Sequence, residues 1–285
     1  MTGTLDHRKV AVVTGGASGI GFAMAARFVA DGMHVVIGDI ETDALEGSVA
    51  RLRGRTADTQ VLGVRTDVTS YDDVASLCEA AASSFGRIDV VCANAGVETG
   101  GKFLEVDDSA WRWLMDVNYF GVLNAARAAL AHLERSGDGH LVVTGSLASF
   151  ATGTPFMMPY CATKMAVLAI AESLEIELRA SNSNVHVHLL APGPVQSRMI
   201  DAERNAPSGV EINEDAARRE AMEAFRSRQS ADGLLADQVA DMVADAIATN
   251  AFFVLPHFDS AVAALERRLS WIRTGEAPAS RVAGS

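Results

Sequence analysis

Lys9-Val-Ala-Val-Val-Thr14 runs into Gly15-Gly-Ala-Ser-Gly-Ile-Gly21 and then into Phe22-Ala-Met-Ala-Ala-Arg-Phe-Val-Ala-Asp31. A β-branched run, a glycine-rich turn and a segment of helical period follow one another directly, which reads as strand, turn, helix. Glycine lets the backbone turn tightly and approach a phosphate, while the free N–H groups and positive dipole end of the new helix receive negative charge. The turn therefore reads as a pyrophosphate cradle, with Gly15, Ser18, Gly19, Ile20 and Gly21 as candidate contacts. Its glycines at 15, 19 and 21 depart from the G-x-G-x-x-G spacing, so the reading rests on the turn's place between the first strand and the first helix.

The same alternation continues along the chain. Strands are expected at Lys9–Thr14, His34–Asp39, Gln60–Arg65, Ile88–Ala93, Gly139–Thr144, Val185–Ala191 and Ala251–Leu255, with helices near 19–30, 42–52, 71–85, 107–135, 159–180 and 236–249. The fourth helix is long enough to be broken or bent. This is the pattern of βαβ units and predicts an α/β fold: a doubly wound parallel sheet of about seven strands with helices on both faces, in one domain. Residues 1–8 form an N-terminal segment, 9–256 the domain, and 257–285 a C-terminal helix and tail. The polar interval 197–235, marked by Pro207-Ser-Gly209, fits the rhythm poorly and reads as a lid or substrate loop.

Composition narrows the partners. The 285 residues carry 36 acidic and 24 basic side chains, a net charge of −12, so a polyanion meets a repulsive field and nucleic acid is not an expected ligand. With 49% hydrophobic residues the chain can bury a sizeable core. Three cysteines, Cys78, Cys92 and Cys161, form no C-x-x-C pair, and the expected setting is a reducing cytoplasm. No apolar stretch approaches the length of a membrane helix, so no membrane partner is expected.

Two carboxylates extend the first reading. Asp39 closes the second strand about 20 residues after the glycine turn, where a carboxylate can hold the adenosine ribose hydroxyls and repel a 2′-phosphate. No basic residue stands at Gly16 or Ala17, which favours NAD over NADP. The competing reading makes Asp39 a cap of the following helix. Asp67, after the third strand, can receive the adenine amino group. Further on, Ser146 follows the fifth strand, and Tyr160 and Lys164 lie four apart on one helix face. A tyrosine titrates near pH ~10, and a neighbouring ammonium favours its phenolate, so the pair reads as a proton-transfer device.

Taken together, these residues resemble the short-chain dehydrogenase/reductase family from about Arg8 to Pro256. The pieces are Thr14–Gly21, Asp67-Val68, Asn94-Ala95-Gly96, Asn118 within Met115-Asp-Val-Asn-Tyr-Phe-Gly-Val122, Ser146, Tyr160 with Lys164, and Pro192-Gly193-Pro194-Val195. The resemblance implies a Rossmann-like fold and an NAD(P)-dependent oxidoreductase. It makes Tyr160 the general acid/base, Ser146 the donor that positions the substrate oxygen, and Lys164 both the partner of the tyrosine and a nicotinamide-ribose ligand. Asn118 then holds a relay water, while Val68, Asn94, Ala95, Gly96, Pro192, Gly193, Val195 and Ser197 line the cofactor. Ala93 and Ser197 stand where the family often has asparagine and threonine. The Ser146–Tyr160 segment is about one residue longer than usual, which leaves Ser149 as a second candidate for the serine role. The resemblance also implies a homo-oligomer, a dimer or homotetramer, built on helices 107–135 and 159–180.

The expected reaction interconverts a hydrophobic secondary alcohol and its ketone with NAD. Phe156, Met157 and Met158 form one expected substrate wall between the serine and the tyrosine, and Met199 a second; apolar walls of this kind accept a body by burial. Alternatives are an NADPH-dependent ketoreductase, including one acting on 3-oxoacyl groups, and a catalytically silent dinucleotide sensor, which would be expected to lose the tyrosine or lysine. His186 and His188 alternate on one strand and could form a metal pair, with ordinary strand packing as the plainer reading and no metal expected. His257, after the last strand, could border the mouth of the site.

Overall fold

A computed structural model describes residues 8–55, 59–152, 154, 156–212 and 215–279. Most of the expected N-terminal segment and the last six residues of the tail lie outside these. Seven parallel strands, β1 (Val10–Thr14), β2 (His34–Asp39), β3 (Val61–Arg65), β4 (Val90–Ala93), β5 (Gly139–Thr144), β6 (Val185–Leu190) and β7 (Phe253–Val254), form one sheet in the order β3-β2-β1-β4-β5-β6-β7. Both faces of β1 are buried, which is why its sequence is continuously apolar: Val10 and Val12 enter one core, Ala11 and Val13 the other.

The helices divide between the faces accordingly. α1 (Gly19–Ala30), α2 (Thr42–Arg53) and α8 (Ala236–Thr249) cover one face, and α3 (Tyr71–Phe85), α5 (Gly121–Ser136) and α6 (Met158–Ala180) the other. β2 and β5 span the expected ranges, and the other strands fall one or two residues inside theirs, most visibly at the edge, where β7 pairs through Leu189 and Leu190 alone. The expected helix at 107–135 is broken, as its length allowed. α4 (Asp108–Met115) passes through a π-helical turn at Asp116–Phe120 into α5, and Asn118 sits in that turn, fully buried.

Segment 197–235 is not an irregular loop. It holds a 3-10 turn at Met199–Asn205 and the helix α7 (Ala216–Asp232), capped by Asp215, whose carboxylate accepts from the Ala217 and Arg218 N–H groups at 3.1 and 3.3 Å. Its inward stripe is Arg218, Met222, Phe225 and Gln229, a helical spacing hidden from hydropathy because an arginine and a glutamine occupy half of it. The expected C-terminal helix is α9 (Phe258–Thr274), which buries Ala261 and Ala264 and leaves Leu265, Leu269 and Ile272 outward.

Leu189 in β6 is fully buried in the core shared with α5 and α6. Leu189→Ala should lower unfolding stability by about 2–5 kcal/mol in a urea titration; a loss below about 1 kcal/mol would mean that this core is not packed as described.

Candidate active site

The strand order reverses between β1 and β4, and the chain opens a crevice there, at the carboxyl ends of the strands. Hydrogen bonds hold the two lips apart at a fixed distance. The Asn94 N–H donates to Thr14 Oγ1 at 3.0 Å and its Nδ2 to the Thr14 carbonyl at 3.1 Å, while Thr144 Oγ1 donates to Asn94 Oδ1 at 3.2 Å. One side chain thus ties the ends of β1, β4 and β5 together. The crevice is lined by Gly15, Ser18, Gly19, Ile20, Asn94, Ala95, Gly96, Val97, Tyr160, Lys164, Pro192, Ser197 and Met199.

The glycine turn packs too closely against its neighbours to admit side chains. Gly15 has φ +64°, and a Cβ there would lie 2.9 Å from Ala95 Cα; a Cβ on Gly21 would collide with the Gly15 carbonyl. The residues present therefore fit a dinucleotide: a close-approach turn at the start of α1, with Asp39 at the far end of the crevice. Asp39, Asp67 and Val68 line that end together with Arg204 and Asn205. Asp39 is not the cap of α2, since Glu41 holds that position; instead its carboxylate accepts from the Ala17 and Glu41 N–H groups at 3.0 and 3.1 Å. Burial pushes the Asp39 carboxyl up, and these backbone donors pull against the rise. Arg204 is paired with Glu41 at 2.6 Å, which places a salt-bridged strut beside the same end.

At the other end stand Ser146, Tyr160 and Lys164. Ser146 is within hydrogen-bonding reach of the Tyr160 phenol, and Tyr160 Oη lies 3.6 Å from Met199 Sδ. Lys164 Nζ donates to the Thr144 carbonyl at 2.9 Å and lies 5.6 Å from the tyrosine ring centre. Burial pushes the Tyr160 phenol upward, against the lowering that the Lys164 pairing leads one to expect; the Ser146 hydrogen bond opposes the rise and Glu98 adds to it. Burial likewise pushes Lys164 down to about 8, with Glu98 pulling it back up. Burial is the largest cause for both groups. Ser149 is used differently: its hydroxyl donates to the Lys164 carbonyl at 2.7 Å and receives the Ser146 N–H at 3.2 Å, so it braces the turn behind Ser146.

The Asn118 amide is occupied by Val97, whose N–H it receives at 2.8 Å and to whose carbonyl it donates at 2.9 Å. It also donates to Thr163 Oγ1 at 3.2 Å, so the π turn clamps the chain leaving β4 onto α6. Gly193 donates its N–H to His257 Nδ1 at 3.1 Å, which puts His257 behind the Pro192–Val195 loop and requires Nδ1 to be unprotonated. Gln229 of α7 donates to the Val195 carbonyl and to Ser197 Oγ, joining that loop to α7.

Of the expected substrate wall, Met199 lines the crevice around Tyr160, while Met157 is buried, Phe156 is partly buried at φ +66° and Met158 is about half exposed at the head of α6, and none of these three lines it. The histidine pair is a packed strand face: His188 donates from Nδ1 to the Ala251 carbonyl at 2.7 Å, so its Nε2 accepts from His140 Nδ1 at 3.0 Å. No metal-binding cluster of three or more ligands occurs among the described residues. Cys161 is a buried thiol pushed up to about 11. Sequence reasoning missed Glu98, the sole charged residue in Val90–Gly101, and Arg218, whose Nε donates to the Gly100 carbonyl at 2.7 Å.

The family model for short chain dehydrogenases matches residues 9–208. Among curated proteins, 1-deoxy-11-beta-hydroxypentalenate dehydrogenase of Streptomyces avermitilis is 36% identical over 258 residues, covering 88% of this chain and 86% of that one. Cis-4-hydroxycyclohexanecarboxylate dehydrogenase of Sinomonas cyclohexanicum is 38% identical over 193 residues, 67% and 75% of the two chains. Among solved structures, a short chain dehydrogenase/reductase from Burkholderia phymatum in complex with NAD superposes with a TM-score of 0.89 at 33% identity, covering 98% and 99%. The chain belongs to the short-chain dehydrogenase family and is an oxidoreductase with the Rossmann-like fold. No helix among the described residues is long and apolar enough to cross a membrane.

Glu98 makes the folded state pH-sensitive. Its carboxyl, ordinarily near 4.5, is pushed up to about 8 by burial, with Arg218 and Lys164 pulling it down. A raised acid contributes fully below about pH 4.5, and its contribution is lost as the pH rises through about 8, because there the unfolded chain holds fewer protons than the folded one. Relative to Glu98→Gln, the wild type should therefore lose melting temperature progressively across that window. A difference independent of pH would contradict the burial of an uncompensated carboxyl.

Proposed function

We propose that this chain is an NAD-dependent dehydrogenase that interconverts a hydrophobic, alicyclic secondary alcohol and its ketone, with Tyr160 as the general acid/base. The observation that carries this reading is the convergence of Tyr160, Ser146 and Lys164 at one end of a crevice whose other end presents Asp39. Two of the relatives named above act, by their names, on hydroxylated cyclic compounds, and the Burkholderia structure contains NAD, which supports the same class here.

In this reading the Gly15–Gly21 turn holds the pyrophosphate, Asp39 the adenosine ribose, Asp67 and Val68 the adenine, and Lys164 with Asn94–Gly96 and Pro192–Val195 the nicotinamide half. When bound, oxidised NAD supplies the hydride acceptor and a positive charge beside the site. Tyr160 takes the carbinol proton at Oη while Ser146 fixes the substrate oxygen, and in the reverse direction Tyr160 returns that proton. Because burial raises the isolated phenol, Tyr160 acts as a base only when positive charge lies close to it. Lys164 contributes part of that charge and stays oriented through its bond to the Thr144 carbonyl. Met199, at 3.6 Å from the phenol oxygen, forms an apolar wall next to the reacting carbon, and Met222 and Phe225 of α7 belong to the same apolar core. We assign residues 197–235 as the substrate cover, within a domain spanning 9–256. A preference for NADPH is disfavoured because Asp39 would repel a 2′-phosphate and Arg204, which lines the same end of the crevice, is already paired with Glu41.

Tyr160→Phe should retain NADH binding, read by fluorescence titration, while turnover of an alicyclic secondary alcohol falls by about 10²–10⁴-fold; turnover within tenfold of wild type would overturn the assignment. The wild type should show a higher kcat/KM with NAD than with NADP, and Asp39→Ser should shrink that ratio. A wild-type preference for NADP would refute the role given to Asp39.

A further inference from the structure

A dinucleotide brings a doubly charged diphosphate to a chain of net charge −12, and the Gly15–Gly21 turn holds no basic residue to meet it. On that side the diphosphate finds only backbone N–H groups and the positive end of α1. A counter-ion has to come from the opposite wall of the crevice.

Three cations line the crevice among the described residues: Lys164, Arg198 and Arg204. Two of them are committed. Lys164 donates to the Thr144 carbonyl at the catalytic end. Arg204 spends Nε and Nη2 on Glu41 at 3.0 and 2.6 Å, and Nη1 on the carbonyls of Arg198 and Asp201 at 3.1 and 2.7 Å. Arg198 is exposed, and its guanidinium makes no hydrogen bond or ion pair among the described residues.

Its backbone is nevertheless held. Arg198 heads the 3-10 turn Met199–Asn205, which Glu41 fastens to the connection after β2 by accepting from Arg204 and, at 3.1 Å, from Asn205 Nδ2. The preceding residue packs against the start of α1: a Cβ on Gly19, at φ +52°, would lie 3.1 Å from Ser197 Cβ. Arg198 therefore leaves the main chain beside the first turn of α1 and lines the crevice with Gly15, Ser18, Gly19 and Ile20. Its charge also reaches Glu41, whose carboxyl is held below the usual carboxylate range first by the Arg204 hydrogen bond, with Arg198 adding to the lowering. The free cation thus serves the stretch of crevice between the glycine turn and the Asp39 end.

We propose that Arg198 is the counter-ion of the dinucleotide diphosphate, meeting it from the wall opposite the Gly15–Gly21 backbone. The inference rests on the dinucleotide reading above and requires only that a dinucleotide binds, not that an alcohol is oxidised. A guanidinium suits this place because its planar fork matches two phosphate oxygens and keeps its charge. Asp39, Glu41 and Asp67 line the neighbouring end, so a diphosphate left without a cation would be repelled there.

The test is the affinity of the wild type, Arg198→Met and Arg198→Lys for NADH, read by fluorescence titration, and for ADP-ribose, read by calorimetry. Arg198 belongs to neither core, so both variants keep the fold. Arg198→Met should weaken both ligands by about tenfold or more, the worth of one charge-assisted hydrogen bond. That loss should shrink as NaCl is raised from about 50 to about 500 mM, and Arg198→Lys should recover most of the affinity. ADP-ribose lacks the nicotinamide and adenosine is uncharged, so a salt-dependent loss shared by both ligands belongs to the diphosphate. A loss for NADH alone, a loss that neither salt nor lysine changes, or affinities of Arg198→Met within about twofold of the wild type would overturn the assignment. If the wild type binds neither ligand, the dinucleotide reading falls and the role of Arg198 with it. If it binds NADH yet oxidises no alcohol, only the dehydrogenase reading fails, and the same affinities still decide for or against Arg198.

Discussion

Asn94 is the side chain on which the site depends. The sheet ladder pairs β1 with β4 only as far as Val13 and Cys92, and the chains leave the sheet in opposite directions beyond that point, where the strand order reverses. By donating to the Thr14 carbonyl and accepting from Thr144, Asn94 joins three strand ends just past the ladder. Thr144 then passes the constraint on, since its own carbonyl orients Lys164. The glycine turn, the lysine and the chain leading to Glu98 all take their positions from this lattice, and the sheet beneath supplies the rigidity.

Desolvation is the second governing effect. Tyr160, Lys164 and Glu98 are buried within electrostatic reach of one another, and burial moves each toward its neutral form: the phenol and the carboxyl up, the ammonium down. A helical tyrosine–lysine spacing alone implies a lowered phenol, but burial is the largest cause acting on Tyr160 and raises it. In such a pocket small changes in charge have large effects, because the local dielectric is low.

Much of this was legible in the residues themselves. The doubly wound sheet followed from β-branched runs separated by helical segments, and the continuous apolar run of Val10 through Val13 matches the burial of β1 on both faces. The cofactor-side and catalytic candidates fell where glycine, carboxylate and tyrosine–lysine spacing carry a chemical reason, and the fold gathers them along one crevice. What escaped was tertiary. α7 was hidden because Arg218 and Gln229 lie on its inner stripe, where their hydrogen bonds to backbone carbonyls substitute for apolar packing. Met158 looked like a wall residue from its neighbours, yet the first turn of α6 points it outward. Glu98 gave a faint signal as a lone charge in an apolar run, but only the packing of α6 and α7 around it shows that its oxygens are left without partners.

The central claim is that the carbinol carbon beside Tyr160 gives up a hydride rather than a proton. Cyclohexanol bearing deuterium at the carbinol carbon, oxidised by the wild type with NAD, tests this directly by mass spectrometry of the reduced dinucleotide. One deuterium per molecule of NADH formed is the predicted result. NADH formed without deuterium, or ketone formed without NADH, would contradict it.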